Sequence, residues 1–295
     1  MEKRVAFLAL AVAGLCWGMG FPLGKFILTE TSAAHMVLLR FAVAAVVALP
    51  FALARPESRA LFASPVILGA GVLYGLAFMV QFEGLAHVSV TVAALLVGAM
   101  PALIAISAKL LGEKVSRASW FGVAAATLGA ALIAGKPDGA GSPLGVALSL
   151  GSLFIFLAWL IVLRRAPPSP TPMAIPAVTV IIATFTVLPI AFIMHGPPRL
   201  DLSPLVWTAV VGQGVLATLL ATAAWQFGSA RVGSASAGVF INIEPLIGAS
   251  LGVMLFGDHL TLALGLGGLL IIAGSFIVVL GEKREAPVTA SAGPI

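Results

Sequence analysis

Charge is scarce in this chain. Only 9% of its 295 residues are Asp, Glu, Lys or Arg, whereas 60% are hydrophobic and the mean hydropathy is +1.14. That leaves too little polar surface to cover a water-soluble globule of this length, so the composition specifies an integral membrane protein. Cysteine is nearly absent. The lone Cys16 excludes an intramolecular disulfide framework and has no CxxC or histidine neighbour at metal-ligand spacing, so no redox chemistry, metal or other cofactor is expected. His35, His87, His195 and His259 all fall near the ends of apolar runs, with no HExxH pattern and no paired carboxylates, which excludes the common hydrolytic sites. The 16 basic residues outnumber the 11 acidic ones, yet they lie scattered between apolar runs and form no amphipathic basic face, so no nucleic-acid partner is expected.

What the chain does have is apolar runs. Ten of them, at approximately 5–27, 33–54, 65–85, 90–111, 117–135, 143–163, 173–194, 204–227, 233–256 and 260–280, approach the ~20 residues needed to cross a hydrocarbon core of about 30 Å. Short breaker-rich connectors such as "ARPESRA", "KPDGAGSP", "RRAPPSPTP" and "HGPPRLDLSP" separate several of them. Lys3 and Arg4 before the first run look like a signal peptide. No small-x-small cleavage site follows, and Leu15 precedes Cys16 where a lipoprotein site needs a small residue, so the run is read as the first span. An even number of spans puts both termini on one side. With the termini in the cytoplasm, that face receives Lys3, Arg4, Arg55, Arg59, Lys109, Lys114, Arg117, Arg164, Arg165, Arg231, Lys283 and Arg284, against Lys25, Lys136 and Arg199 opposite. This bias fits a multi-pass protein of the bacterial inner (plasma) membrane with both termini cytoplasmic.

The stretch beginning "GLAHVSVTVAALLVGAMPALIAISAKLLGEK" aligns with the later "GSARVGSASAGVFINIEPLIGASLGVMLFGDH". Gly84, Ala86 and Pro101 match Gly228, Ala230 and Pro245 at a constant offset (245 − 101 = 144), and after one inserted residue Glu113, Gly122 and Gly129 match Asp258, Gly267 and Gly274. The chain reads as a tandem duplication: a first five-helix repeat over 1–138, a second over 139–281 and a cytoplasmic tail over 282–295. Five spans per repeat force the second repeat to enter the membrane from the opposite face. The expected fold is therefore all-α, with ten transmembrane helices in two inverted five-helix repeats. Inverted halves that rock about a midplane site are a transporter architecture, which predicts alternating access.

The runs "LCWGMGFPLGK" in the first span, "LLRF" in the second, and a central Pro followed by "LLGEKVSRASWFGVAAATLGAALI" in the fourth and fifth resemble the ten-helix exporters of the drug/metabolite transporter superfamily, built from two EamA-type domains. The resemblance covers nearly the whole chain. It implies a 5+5 basket in which spans 1, 3, 4, 6, 8 and 9 surround a cavity while spans 5 and 10 lie outside. It also implies export of small metabolites, and the sequence is most similar to the amino-acid exporters, including those for aromatic amino acids. The expected partners are a small-molecule substrate, amino acids first, and the lipid bilayer, with the chain acting as a monomer. Export or facilitated diffusion of nucleosides or other amphipathic metabolites is the alternative, and the direction of flux comes from the resemblance alone.

The candidate substrate-binding residues are Trp17, Tyr74, Phe78, Gln81, Trp159, Trp225, Asn242 and Glu244. Trp17 sits mid-span among glycines that leave room for a ligand or for close helix packing. Tyr74, the only tyrosine, forms one helical stripe with Phe78 and Gln81, either cavity wall or core. Trp159 and Trp225 fall toward the cytoplasmic ends of their spans, where an interfacial belt explains them equally well; Trp120 and Trp207 are more simply belt residues. A carboxyl near the bilayer centre costs about 3 kcal/mol on insertion scales, so Glu244 faces a watery cavity or acts as an interhelical strut. Asn242 lies two residues away, about 200° around the helix, and the two cannot squarely share one face. Pro101 and Pro245 free the carbonyls of Val97 and Ile241 and are the candidate hinges. Arg40, roughly two turns into the second span, is read as a structural residue within snorkelling reach of the outer interface. "GASLG" around Ser250 matches GxSxG and offers an intramembrane hydrolase as the reading from a different class, but a nucleophile elbow needs a strand-to-helix turn, so the protein is not expected to be an enzyme.

Overall fold

Long apolar stretches with few charges leave the backbone no partner but itself inside a bilayer, and helices are the result. The structure, a computed structural model, describes residues 2–112, 115–135, 141–232 and 239–285. Nine helices among them are long and apolar enough to cross a membrane: spans 1 to 4 at Lys3–Ile27, Ala33–Leu53, Pro65–His87 and Val90–Leu110, spans 6 to 10 at Pro143–Leu163, Ala174–His195, Pro204–Val232, Val239–Phe256 and Leu262–Gly281. The shorter apolar helix at Arg117–Gly135 is span 5 and completes the ten. No strand occurs among the described residues apart from an isolated bridge between Val88 and Gly141. The last helix continues through Glu282 to Glu285, past the expected start of the tail; residues 286–295 lie outside the described residues, as do Glu113, Lys114 and Lys136.

Local chemistry sets the span ends. Spans 2, 4, 6 and 8 all begin at the same end of the bundle, and each begins with a serine. Ser32, Ser89, Ser142 and Ser203 accept from the amides of His35, Val92, Gly145 and Val206 at 3.1–3.3 Å, satisfying donors that the first helical turn leaves free. Pro143 and Pro204 follow two of these caps, where the missing amide costs nothing. Gly141 turns at φ +110°, and a Cβ there would collide with the His87 carbonyl at 2.5 Å; this close approach lets Ser142 donate its amide to the same carbonyl.

Helix packing carries the symmetry of the repeat. Span 3 packs on span 6 and span 1 on span 8, the equivalent pair when the halves are exchanged. Spans 2 and 7, 4 and 9, and 5 and 10 pair with their own counterparts. The contact between spans 5 and 10 shows this at residue level. A Cβ on Gly122 would strike the carbonyl of Gly274, and one on Gly129 that of Gly267; in reverse, one on Gly267 would come 2.8 Å from Gly129 and one on Gly274 2.5 Å from Gly122. Gly122 corresponds to Gly267 and Gly129 to Gly274, so exchanging the repeats maps one glycine crossing onto the other. Small residues serve here because helices in lipid associate by close packing rather than by hydrophobic burial.

Two kinds of irregularity interrupt the spans. Span 4 splits into Val90–Val97 and Met100–Leu110 around Gly98 and Ala99, with Pro101 in the first turn of the second piece. Span 9 breaks at the equivalent place, where Asn242 precedes a helix from Ile243 that carries Pro245 in its first turn. Span 8 widens into a π-helix over Gln213–Leu220, in which the Thr218 hydroxyl donates to the Gln213 carbonyl at 2.9 Å. Such widened turns are rare and concentrate at functional sites.

Candidate functional site

A cavity of about 260 Å³ lies between the two repeats. Eight of its lining residues are aromatic. The rings of Trp17 and Trp225 lie 5.5 Å apart, those of Tyr74 and Trp159 5.1 Å apart, and Phe156 meets Phe78 edge-on at 5.0 Å. Flat, rigid surfaces of this kind offer much apolar contact at low entropic cost. From the broken spans, Val97 and Met100 border it on one side and Ile241 and Glu244 on the other. These four are repeat-equivalent, at the same offset as Pro101 and Pro245, so the cavity sits on the pseudo-symmetry axis.

Of the candidates from sequence, Trp17, Tyr74, Phe78, Gln81, Trp159, Trp225 and Glu244 all border this one cavity. Trp159 and Trp225, for which an interfacial belt was the other reading, point their rings at Tyr74 and Trp17 inside the bundle. Trp120 is 40% exposed and Trp207 donates its indole N–H to the Leu200 carbonyl in a loop, as belt residues do. Asn242 does not border the cavity. It is 1% exposed, and its side-chain amide makes only a long 3.4 Å bond to the Val239 carbonyl, because the helical turn to Glu244 puts the two on different faces. Pro101 and Pro245 are buried at the breaks and do not line this cavity themselves; the residues whose carbonyls they release do. Ser250 lies in the helix Ile243–Phe256 and is exposed on the outside of the bundle, so no nucleophile elbow forms there.

Arg40 requires a correction. It does not snorkel to an interface but is 1% exposed, borders the cavity, and sits beneath the aromatic wall. Its guanidinium carbon stands 4.3, 5.0 and 5.5 Å from the ring centroids of Phe78, Phe82 and Phe41. Nε and Nη2 donate to the Thr218 hydroxyl at 3.0 and 2.7 Å. The π-helix makes this possible: Thr218 faces span 2, and Gly214 lies so close that a Cβ would come 2.7 Å from the Arg40 carbonyl. A guanidinium buried within a span costs at most about 3 kcal/mol on insertion scales, while a desolvated cation–π contact returns ~2 kcal/mol. Arg40 is therefore tolerable inside without a carboxylate. The signal for it was available, since a charge within an apolar run marks a candidate functional site by default; Phe156, one turn before Trp159, and Phe82 were among the other lining residues missed.

The cavity wall runs to Leu163 and Ser229, near the ends of spans 6 and 8 on the side that carries the first residues of the chain. At the opposite end Lys25 ties span 1 to the turn between spans 3 and 4 within the first repeat, and Asp258, His35 and Glu30 tie the two repeats together. Lys25 donates to the Leu85 and Val88 carbonyls at 3.0 and 2.9 Å, Asp258 accepts from the Thr91 amide at 2.8 Å, and His35 Nε2 lies 3.0 Å from the Gly196 carbonyl. Glu30 accepts from the Ser203 amide at 2.7 Å, and hydrogen bonding from Ser203 holds its carboxyl below the usual carboxylate range. Phe26 and Phe256 close the same end with centroids 4.9 Å apart. Among the described residues no cluster of three or more His, Cys, Asp or Glu is placed to hold a metal ion.

The EamA-like transporter family model matches residues 4–135 and again 143–280. Over 103 residues the chain is 30% identical to a Pseudomonas aeruginosa protein named as a probable biotin transporter, a match spanning 35% of this chain and 36% of that relative. It is 29% identical over 72 residues to the permease-like protein YdzE of Bacillus subtilis, 24% of this chain and 92% of that one. The chain thus spans about a third of the first relative's length. A protein of known crystal structure superposes with a TM-score of 0.66 at 21% identity, over 95% of this chain and 99% of the other, a likeness of fold.

Proposed function

The chain belongs to the EamA-like transporter family, and from that premise we propose that it carries small amphipathic metabolites, amino acids foremost, out of the cell by alternating access across the bacterial inner membrane. The observation that supports this reading best is the aromatic cavity on the axis between inverted repeats, bordered by the breaks of spans 4 and 9. An apolar cavity with a few polar groups, Gln81, Arg40 and Glu244 among them, suits an amphipathic organic molecule. An inorganic ion would need dense oxygen ligation instead. Seven of the sequence candidates, Trp17 through Glu244 without Asn242, would form the binding wall, and Pro101 and Pro245 would be the points where spans 4 and 9 flex. With the termini cytoplasmic, the cavity would face inward, and release outward would break the ties of Glu30, Asp258 and Phe26 between the repeats.

A second reading comes from the relative named for biotin: a carboxylic acid with an apolar body would fill the same wall. The test is transport by purified protein in proteoliposomes. Radiolabelled aromatic and aliphatic amino acids, biotin and nucleosides are run in parallel, with and without a pH gradient. Transport of aromatic amino acids, inhibited by competing unlabelled substrate, supports the first reading; transport of biotin or nucleosides alone replaces it.

A further inference from the structure

We propose that Arg40 is the carboxylate anchor of the cavity, selecting substrates that carry an organic carboxylate on an apolar body. This rests on the cavity being the transport site and deepens that reading. The argument begins with donors. A guanidinium carries five N–H groups in a planar fork. One on Nε and one on Nη2 go to a single acceptor, the Thr218 hydroxyl, whose own proton goes to the Gln213 carbonyl. Three remain, two on Nη1 and one on Nη2. Nη1 is buried and has no hydrogen-bond partner among the described residues, so neither protein nor bulk water satisfies it. The remaining donors flank the end of the fork, the edge that a carboxylate engages with two parallel bonds.

The surroundings favour an anion from within the cavity. No carboxylate among the described residues pairs with Arg40, and the rings of Phe78, Phe82 and Phe41 satisfy its charge without occupying its donors. Arg40 borders the cavity toward its closed end together with Gln81 and Phe82. The Trp17–Trp225 and Tyr74–Trp159 pairs lie further toward the open end, where they would flank the apolar body of a substrate whose acid group has reached Arg40. Nη1 is sealed from solvent, so a carboxylate reaches it only by displacing the side chains that cover it.

Three probes of one shape separate the contributions: phenylalanine, 3-phenylpropionate, which keeps the carboxylate alone, and phenethylamine, which keeps the ammonium alone. Each competes for transport of the best labelled substrate in proteoliposomes, using wild type, Arg40→Gln, Arg40→Lys and Trp17→Ala, at pH 7 and with thermal unfolding in detergent recorded for each. The expected result is that both carboxylates compete at least ~10-fold better than phenethylamine in wild type, that Arg40→Gln removes the preference, and that Arg40→Lys, which keeps charge but not the fork, reduces it. The preference is a ratio within one preparation, so a lower yield of folded Arg40→Gln does not obscure it. Equal competition by phenethylamine, or an unchanged preference in Arg40→Gln, overturns the anchor while Trp17-dependent transport leaves the cavity reading standing. Transport indifferent to Trp17→Ala overturns both.

Discussion

Met100 and Glu244 hold the same place in their repeats, yet only one of them carries a carboxyl. Both border the cavity, so the substitution makes two otherwise equivalent walls chemically different. If a change in the protonation of Glu244 accompanies each cycle, Glu244→Gln should keep substrate exchange but lose the response of net transport to a pH gradient. A hydrogen-bonded strut behaves otherwise: Gln preserves both exchange and pH response, whereas Glu244→Ala lowers the folded yield. Reconstitution of both variants at matched protein levels separates the two. The aromatic wall makes a simpler prediction. Trp17→Ala and Tyr74→Ala remove ring faces that border the cavity, whereas Trp120 is 40% exposed on the outside of the bundle. The first two should reduce transport by about tenfold or more at equal membrane abundance, and Trp120→Ala by less than about twofold. Equal losses would assign all three to packing.

At the scale of elements, the breaks in spans 4 and 9 and the glycine crossing of spans 5 and 10 do opposite things. Pro101 and Pro245 deny a hydrogen bond to Val97 and Ile241 at the cavity, leaving each span jointed there. Pro245→Ala restores the missing donor, so exchange should slow while the thermal unfolding midpoint stays level or rises; faster exchange would refute the joint. Gly122 and Gly274 instead fix two helices at backbone contact. Gly122→Leu should cut membrane abundance severalfold, while the protein that does insert keeps wild-type substrate preference, because spans 5 and 10 contribute nothing to the cavity wall. The loop contact of Glu30 has a fixed pH window. Its carboxyl is lowered in the folded state by Ser203, so its support is present above the ordinary carboxylate pKa of about 4.3 and is lost only as pH falls through the lower folded value. Any pH dependence of transport between about pH 6 and 8 must therefore originate elsewhere. The apolar runs and prolines that define the spans were legible in sequence, because each depends on composition within one segment. The π-helix was not. It arises where Thr218 turns back to Gln213 while also accepting from Arg40, a bond between residues 178 positions apart that leaves no local periodicity. Asn242 and Glu244 show the same limit in reverse: helical spacing says they diverge, but which one meets the cavity depends on the helices around them.

Across the whole molecule, orientation follows from where the charges lie. The end with the first residues of the chain also carries Arg55, Arg59, Lys109, Arg117, Arg164, Arg165 and Arg231, while the opposite end has Lys25 and Arg199 among the described basic residues. Lys25 is withdrawn into carbonyl contacts, and Arg199 is neutralised by Asp201 at 2.7 Å, so the second end is electrically sparse. Positive charge resists translocation, so the proposed orientation keeps the first end in the cytoplasm. Span 7, Ala174–His195, supplies the test, because its 22 residues separate Ser169 from Pro198 by about 33 Å of helix and place them at opposite ends. The native Cys16 is buried, so Cys16→Ser provides a silent background for single cysteines. A cysteine at position 198 should react with an impermeant thiol reagent in intact cells, and one at position 169 only after permeabilisation. The reverse pattern would turn the protein over and make the cavity open outward. Labelling of both from the same side would remove span 7 from the membrane, and with it the odd number of crossings per repeat on which the inverted architecture depends.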